Sequence, residues 1–204
     1  MRNIYVVTHT ESIHHVKGLG GGWYDTSLTE KGLIQANNIA TALYNQIKIQ
    51  NIPVYTSDLK RALETANIFS RVFNSTVILD SRLREMSFGD AEGKSKEWQD
   101  QNIMPKPNNG NRLNHHRFHK SESRRDVGIR IQDFFNHILN KPDNNIIIIT
   151  HGFALTFIIM TWLKVPVENM DYCNFQSGPG RVTFLHEDDF FENRNVIYVN
   201  RTIA

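Results

Sequence analysis

Two histidines follow apolar runs at positions where α/β proteins place their chemistry. His9 lies two residues after the run Ile4–Val7, and His151 lies two residues after the run Ile146–Ile149. Continuous β-branched runs are typical of strands buried on both faces, and the carboxyl ends of such parallel strands meet at the ligand-binding edge. A neutral imidazole there can act as a nucleophile. A hydrogen bond to a turn would explain either histidine alone, but the pair favours one shared site.

A cation and a carboxylate accompany the next two predicted strands. Arg61 lies in the first turn of a helix after the predicted strand 53–56, with Ser57 as the expected N-cap. A cation there opposes the helix macrodipole, which favours a functional reason. Glu85 follows the predicted strand 76–79 and would reach the same edge. A solvated side chain is the competing interpretation for each. The helix expected after His151 would also present free N–H groups to an anion.

The positions of these residues depend on an alternation of strands and helices along the chain. Ser27–Glu30 has the pattern of a capping box with Ser27 as the cap, followed by an apolar stripe. The stripe consists of Leu33, Ala36, Ala40, Leu43 and Ile47. Residues 181–186 and 195–199 are two further predicted strands. The pattern predicts an α/β fold, a three-layer α/β/α sandwich around a mainly parallel sheet.

The composition limits the classes of function. The 204 residues carry a formal net charge of +2, with 40% hydrophobic and 22% charged residues. These values exclude a collagen, a coiled coil or a disordered tail, and give no reason to expect nucleic acid as a partner. Cys173 is the single cysteine, and no apolar segment is long enough for a signal sequence or a membrane span. We therefore expect a cytoplasmic protein without a membrane partner.

Residues 94–125 depart from the alternating pattern. We interpret the chain as one domain, residues 1–204, in which this segment is an insert or lid. Its basic and histidine residues are Arg112, Arg117, Lys120, Arg124, Arg125, His115, His116 and His119. A basic lid that steers anionic substrates and a solvated loop are equally good interpretations. A zinc site formed by the three histidines lacks the sequence motifs that accompany such sites.

Five segments carry motifs in a fixed order along the chain. They are Val6–Ser12, Tyr24–Ala36, Thr56–Ala66, Glu85–Gly93 and Ile149–Gly152. The second matches D-x-x-L-T-x-x-G-x-x-Q-A, the third S-x-L-x-R-A-x-x-T-A and the fourth E-x-x-F-G-x-x-E-G, while the last is similar to V-S-H-G. Together the five segments resemble the histidine phosphatase superfamily, the phosphoglycerate-mutase-like enzymes. The resemblance implies a phosphoglycerate-mutase-like fold.

The same resemblance implies a role for each polar residue of the expected site. His9 would be the nucleophile that forms a phosphohistidine, and Arg61 and His151 would hold phosphoryl oxygens. Glu85 would protonate the leaving oxygen and later accept a proton from water. These residue types suit such roles chemically. No metal or cofactor is implied, and the expected ligand is a small phosphorylated substrate or inorganic phosphate.

The first motif is altered on both sides of the nucleophile. Thr8 stands where the family has an arginine, and Thr10 stands where it has a glycine. Because charged hydrogen bonds contribute about 1.5–3 kcal/mol each, the missing guanidinium predicts a loss of activity of roughly ten- to hundred-fold or more.

Other residues of the same loop could compensate for the missing arginine. His15 stands where the family often has an asparagine, and we expect it, together with Lys17, to replace part of the positive charge. The hydroxyls of Thr8, Thr10 and Ser12 are further candidate substrate ligands. Two exposed loop histidines, His14 and His15, are the competing interpretation.

The predicted function is metal-independent hydrolysis of a phosphomonoester through a phosphohistidine on His9. The alternative is a degenerate member that binds an anionic ligand or a partner with little or no turnover, and Thr8 is its basis. A mutase is less expected, because cofactor-dependent phosphoglycerate mutases have a longer chain. Sugar phosphates, nucleotides, a cofactor precursor and a phosphoprotein all stay open as substrates.

Overall fold

Four parallel strands form the larger part of a mixed sheet in the computed structural model, which describes residues 1–107 and 110–204. The strands are β1 (Arg2–Thr8), β2 (Val54–Thr56), β3 (Val77–Leu79), β4 (Asn145–Thr150), β5 (Val182–Glu187) and β6 (Arg194–Arg201). Their order across the sheet is β3-β2-β4-β1-β5-β6. The first four strands in that order pair in parallel, and β5 pairs antiparallel with both of its neighbours, β1 and β6. Both late segments are therefore strands, as predicted.

Helices cover both faces of this sheet. They are α1 (Ile13–Val16), α2 (Glu30–Ile47), α3 (Lys60–Phe73), α4 (Lys96–Asn102), α5 (Arg124–Leu139) and α6 (Gly152–Trp162). Helices α2 and α3 pack on the face to which Val7 and Ile149 belong. Helices α5 and α6 pack on the face to which Val6 and Ile148 belong. Because successive strand side chains alternate between faces, central strands covered on both sides need continuous apolar runs. The predicted three-layer α/β/α fold is confirmed.

The register of β1 against β4 places two histidines at one level. Thr8 pairs with Thr150, so His9 and His151 leave the sheet together at its carboxyl edge. The backbone N–H of His9 donates to the carbonyl of Thr150 over 2.9 Å. The shared edge expected from the two apolar runs is therefore present.

The start of α2 differs from the prediction. Thr29, not Ser27, is the N-cap, and its hydroxyl accepts from the Gly32 backbone N–H over 3.0 Å. Leu33, expected in the buried stripe, is 43% exposed. Gly32 takes the packed position instead, since a Cβ there would lie 2.0 Å from the carbonyl oxygen of Glu11. This close backbone contact turns the following side chain toward solvent.

Residues 94–125 are not uniformly exposed. Helix α4 contains no buried residue, but Leu113 and Phe118 are buried and Leu113 joins the core on the α5–α6 face. Asn108 and Asn109 of this segment lie outside the described residues. The role of the segment as a lid stays a prediction. Within residues 1–107 and 110–204, no helix has both the length and the apolar character needed to cross a membrane.

Candidate active site

A cavity of about 350 Å³ opens at the carboxyl edge of β1 and β4. His9, Arg61 and Glu85 all line it, so residues more than fifty positions apart in the sequence meet there. The loop Gly18–Gly22 forms another wall. The cavity therefore brings together three of the residues expected to form the site.

His9 is buried and held in one tautomer. Its Nδ1 donates to the carbonyl of Thr10 over 2.9 Å, which leaves the lone pair on Nε2. That lone pair accepts a hydrogen bond from Nε of Arg61 over 3.2 Å. Burial, followed by the charge of Arg61, holds the pKa of His9 well below its usual value. The ring is therefore neutral at physiological pH and its Nε2 is available as a nucleophile.

Arg61 is a fully buried cation with a fixed orientation. It lies in the first turn of α3, and Nη1 and Nη2 donate to the carbonyls of Tyr24 (2.9 Å) and Gly22 (2.7 Å). Gly22 has a positive φ of 53°, and a Cβ there would lie 2.8 Å from the backbone N of Phe88. Only glycine fits this turn, so the loop carbonyl can approach the guanidinium.

His151 stands edge-on to His9, with ring centroids 5.1 Å apart. Its Nε2 is 2.8 Å from the hydroxyl of Ser57. Ser57, expected as the N-cap of α3, thus forms a hydrogen bond with His151 instead. The N-cap of α3 is Leu59, which makes no side-chain hydrogen bond. Among the described residues, Nδ1 of His151 is buried with no hydrogen-bond partner. Burial, followed by the charge of Arg61, lowers the pKa of His151 well below its usual value.

Glu85 occupies the N-terminus of α6. Its Oε1 accepts from the backbone N–H groups of Met86 (2.9 Å) and Ala154 (3.1 Å), and its Oε2 accepts from that of Phe153 (3.1 Å). These helix N–H groups, expected to face an external anion, are therefore used by a carboxylate of the chain itself. Burial raises the pKa of Glu85 even though the N–H donors act in the opposite direction. The raised pKa favours the protonated form relative to a carboxyl group in water, as a general acid requires.

The two threonines beside His9 use their hydroxyls within the protein. Thr8 lines the cavity, but its hydroxyl donates to the carbonyl of Gly178 (2.6 Å) and accepts from the N–H of Arg181 (3.1 Å). The hydroxyl of Thr10 donates to the carbonyl of Gly32 (2.8 Å), away from the cavity. Thr10 does not line the cavity, and its hydroxyl connects the loop that carries His9 to α2; its role as a substrate ligand stays a prediction.

Ser12 is likewise a scaffold rather than a lining residue. It is the N-cap of α1, and its hydroxyl lies 3.0 Å from Nδ1 of His14 and 3.2 Å from Nδ1 of His15. Ser12 does not line the cavity, so its direct contact with substrate stays a prediction. Ser12 orients two rings that do line the cavity.

The structure places both His14 and His15 in the cavity wall, whereas sequence reasoning had selected only His15. His14 is buried, and its Nδ1 is also 3.0 Å from the hydroxyl of Thr26. Burial lowers the pKa of His14 to about 3, and that of His15 is lowered as well. The two rings are thus neutral donors or acceptors, not the replacement charge that was expected. Lys17 does not line the cavity.

Other lining residues carried no usable signal in the sequence. Ser177, Gly178 and Pro179 belong to a segment that the pattern identified only as a turn, and Lys96 and Gln99 come from α4. Their contribution depends on how distant loops fold over the sheet edge. A spacing rule could not have found them.

Fold and site together define an α/β protein in which a buried histidine, an arginine and a glutamate line one cavity at the sheet edge. The chain belongs to the histidine phosphatase superfamily (branch 1), whose family model matches residues 4–193. It is 28% identical over 208 residues to "Putative phosphoserine phosphatase 2" of Hydrogenobacter thermophilus, covering 98% of this chain and 96% of that one. It is 31% identical over 176 residues to "Probable phosphoglycerate mutase GpmB" of Cronobacter sakazakii, covering 81% and 77% of the two chains.

A solved structure shows the same architecture. A mycobacterial glucosyl-3-phosphoglycerate phosphatase in complex with VO3 superposes with a TM-score of 0.82 at 25% identity, covering 99% of this chain and 100% of that one. The fold inferred from the five motifs and the family membership are therefore shown by independent comparisons.

Proposed function

We propose that the protein hydrolyses phosphomonoesters without a metal, through a phosphohistidine on His9. The observation that carries the proposal is the unprotonated Nε2 of His9, held 3.2 Å from the Arg61 guanidinium in an open cavity. Nε2 attacks phosphorus, and the bond from phosphorus to the leaving oxygen breaks. Water then attacks the phosphohistidine, the Nε2–phosphorus bond breaks, and inorganic phosphate is released.

Glu85 is the proposed proton carrier of both steps. In the first step it gives its proton to the leaving oxygen, and in the second it takes a proton from the attacking water. The three backbone N–H donors fix the carboxyl group while burial keeps its pKa raised. The carboxyl group is thereby held in one orientation, and its protonated form is favoured relative to that of a carboxyl group in water.

Charge on the phosphoryl oxygens is proposed to be stabilised by one cation and two neutral rings. Arg61 supplies the charge, and Nδ1 of His151, which has no hydrogen-bond partner among the described residues, is proposed to supply an N–H donor from outside the set of residues that line the cavity. Nδ1 of His15 lies 3.3 Å from the backbone N–H of Ser12 and accepts from it, so the proton of this neutral ring is on Nε2. The Nε2–H group of His15 is the proposed substitute for the guanidinium that the family has at position 8, but it carries no charge.

The proposed substrate is a small phosphate ester. The relatives named above include proteins named for phosphoserine and for glucosyl-3-phosphoglycerate, and a cavity of about 350 Å³ suits molecules of that size. We propose that residues 94–125 form a lid over it, since Lys96 and Gln99 reach the cavity wall. The free, exposed Cys173 fits a reducing compartment, and a cytoplasmic location is part of the proposal.

Thr8 favours one alternative function, a binding protein with little turnover. A chromogenic assay with p-nitrophenyl phosphate and a panel of biological phosphate esters separates the two. Activity that disappears in His9→Ala and is indifferent to a chelator supports the hydrolase, and acid quenching should then trap a phosphorylated His9. Lack of wild-type turnover across the panel, with phosphate still bound, would favour the binding protein. Abolition of activity by a chelator would refute the metal-free mechanism.

A further inference from the structure

Three imidazoles gather at one side of the cavity. His9, His14 and His15 each offer one ring nitrogen, and these atoms lie within 4.8 Å of one another. Among the residues that the structure describes, this is the one group of histidine, cysteine or acidic side chains close enough to share a metal ion. The histidines of the 94–125 segment, considered for zinc from the sequence, do not form such a group.

The hydrogen bonds of the three rings resemble the outer shell of a metal site. In each ring it is Nδ1 that is hydrogen-bonded, His9 to the Thr10 carbonyl and His14 and His15 to Ser12. In metal-binding histidines the nitrogen that does not bind the ion donates such a hydrogen bond. His9 already has this arrangement, and His15 reaches it by a change of tautomer. Within the described residues, Nε2 of His14 and Nε2 of His15 have no protein hydrogen-bond partner.

The spacing suits a transition metal after a small adjustment. Zinc–nitrogen bonds of about 2.0–2.1 Å in a tetrahedral site place the nitrogens roughly 3.4 Å apart. His15 is exposed on the short helix α1 and can rotate toward the other two rings. On binding, the ring proton of His15 would move from Nε2 to Nδ1, which would then donate to the hydroxyl of Ser12 (3.2 Å), because metal ligation requires a neutral imidazole with a free Nε2 lone pair. The ring centroids of His14 and His15 are already only 4.2 Å apart.

We propose that His9, His14 and His15 bind one divalent transition metal ion of the Zn²⁺ class, and that this ion excludes the phosphoryl group. The ion and phosphorus compete for the same lone pair on Nε2 of His9. The ion would also replace the hydrogen bond from Arg61, which keeps its contacts with two backbone carbonyls. The inhibitory consequence rests on the proposed function, whereas the metal site itself does not.

Metal binding is measured first, without substrate. The full chain is freed of metal with a chelator and then titrated with Zn²⁺ by calorimetry and with Co²⁺ by visible absorption. We expect one ion per chain, and an affinity about tenfold or more weaker in His15→Asn and in His14→Asn. His137→Asn, an exposed histidine of α5 outside the cavity, should bind like wild type. His15 is exposed, so its variant tests the site even if His14→Asn loses stability.

Competition is measured second. Orthovanadate should weaken Co²⁺ binding, and Zn²⁺ should inhibit ester hydrolysis competitively and be reversed by a chelator. Metal binding that is unchanged in both cavity variants, or is insensitive to orthovanadate, would overturn the proposal. If Co²⁺ binds through these histidines but no ester is hydrolysed, the metal site stands and the proposed function fails. If esters are hydrolysed and no ion binds, the proposed function stands and the metal site fails.

Discussion

Arg61→Lys is the substitution whose effect can be worked out most directly from the geometry. The guanidinium makes three hydrogen bonds, to Nε2 of His9 (3.2 Å) and to the carbonyls of Tyr24 (2.9 Å) and Gly22 (2.7 Å). Lysine keeps the charge, but its single ammonium cannot serve both carbonyls and also reach the phosphoryl group. The variant should therefore lose one charge-assisted hydrogen bond, about 1.5–3 kcal/mol. That free energy corresponds to a decrease in kcat/KM of roughly 10- to 150-fold.

The assay is steady-state hydrolysis of p-nitrophenyl phosphate, with orthovanadate binding measured in parallel and thermal unfolding used to confirm folding. Arg82→Lys is the matched control, because its guanidinium binds Asp80 and does not line the cavity. Its kcat/KM should be unchanged. If Arg61→Lys kept more than about a third of the wild-type kcat/KM, the lost interaction would be under roughly 1 kcal/mol and Arg61 would not contact the reacting group.

Three further perturbations test other parts of the site. Glu85→Gln should lower kcat/KM for alkyl phosphates, which reports formation of the phosphohistidine, by about 10²- to 10⁴-fold, but far less for p-nitrophenyl phosphate, whose leaving group needs no proton. Because burial raises the pKa of Glu85 and its acid form is the donor in that step, kcat/KM for alkyl phosphates should fall as pH rises through that pKa; Glu85→Gln should lack this decline, and equal losses of kcat/KM on both substrates would contradict the role. Thr8→Arg should tighten orthovanadate binding about tenfold or more, measured by inhibition, and an unchanged affinity would show that position 8 does not reach the oxyanion. Ser57→Ala removes the hydrogen bond to Nε2 of His151 (2.8 Å) and should lower kcat/KM about tenfold, with Ser70→Ala, which loses a remote hydrogen bond to Ser75, as the control.

The sheet edge and its two histidines were predictable because a strand buried on both faces leaves a local signature. The runs before His9 and His151 are apolar at every position, and parallel pairing then fixes which ends meet. Arg61 was predictable for a related reason, since its position in the first helical turn conflicts with the helix dipole. Each of these inferences needs only neighbouring residues.

The rest of the site depends on contacts between distant segments. His14 is buried and His15 exposed, although the two are adjacent in a four-residue helix. Nothing in the local sequence indicates that one ring is buried and the other exposed while both line the cavity. Likewise, no spacing rule indicates that the carboxylate of Glu85 fills the N-terminus of α6, because that contact joins residues 68 and 69 positions apart.

Burial alone accounts for the protonation states that the chemistry needs. Removal from water disfavours the charged form of any group, so it lowers the pKa of His9 and raises that of Glu85. One and the same environment thereby favours the neutral form of the base and the protonated form of the acid. The Arg61 charge strengthens the first effect and weakens the second, which keeps Glu85 able to release its proton. The neutral side chain of Thr8 is consistent with these opposing effects, because an arginine at position 8 would further lower the pKa values of both His9 and Glu85. The sequence change at Thr8 should therefore affect the pH dependence of turnover as well as the affinity for phosphate.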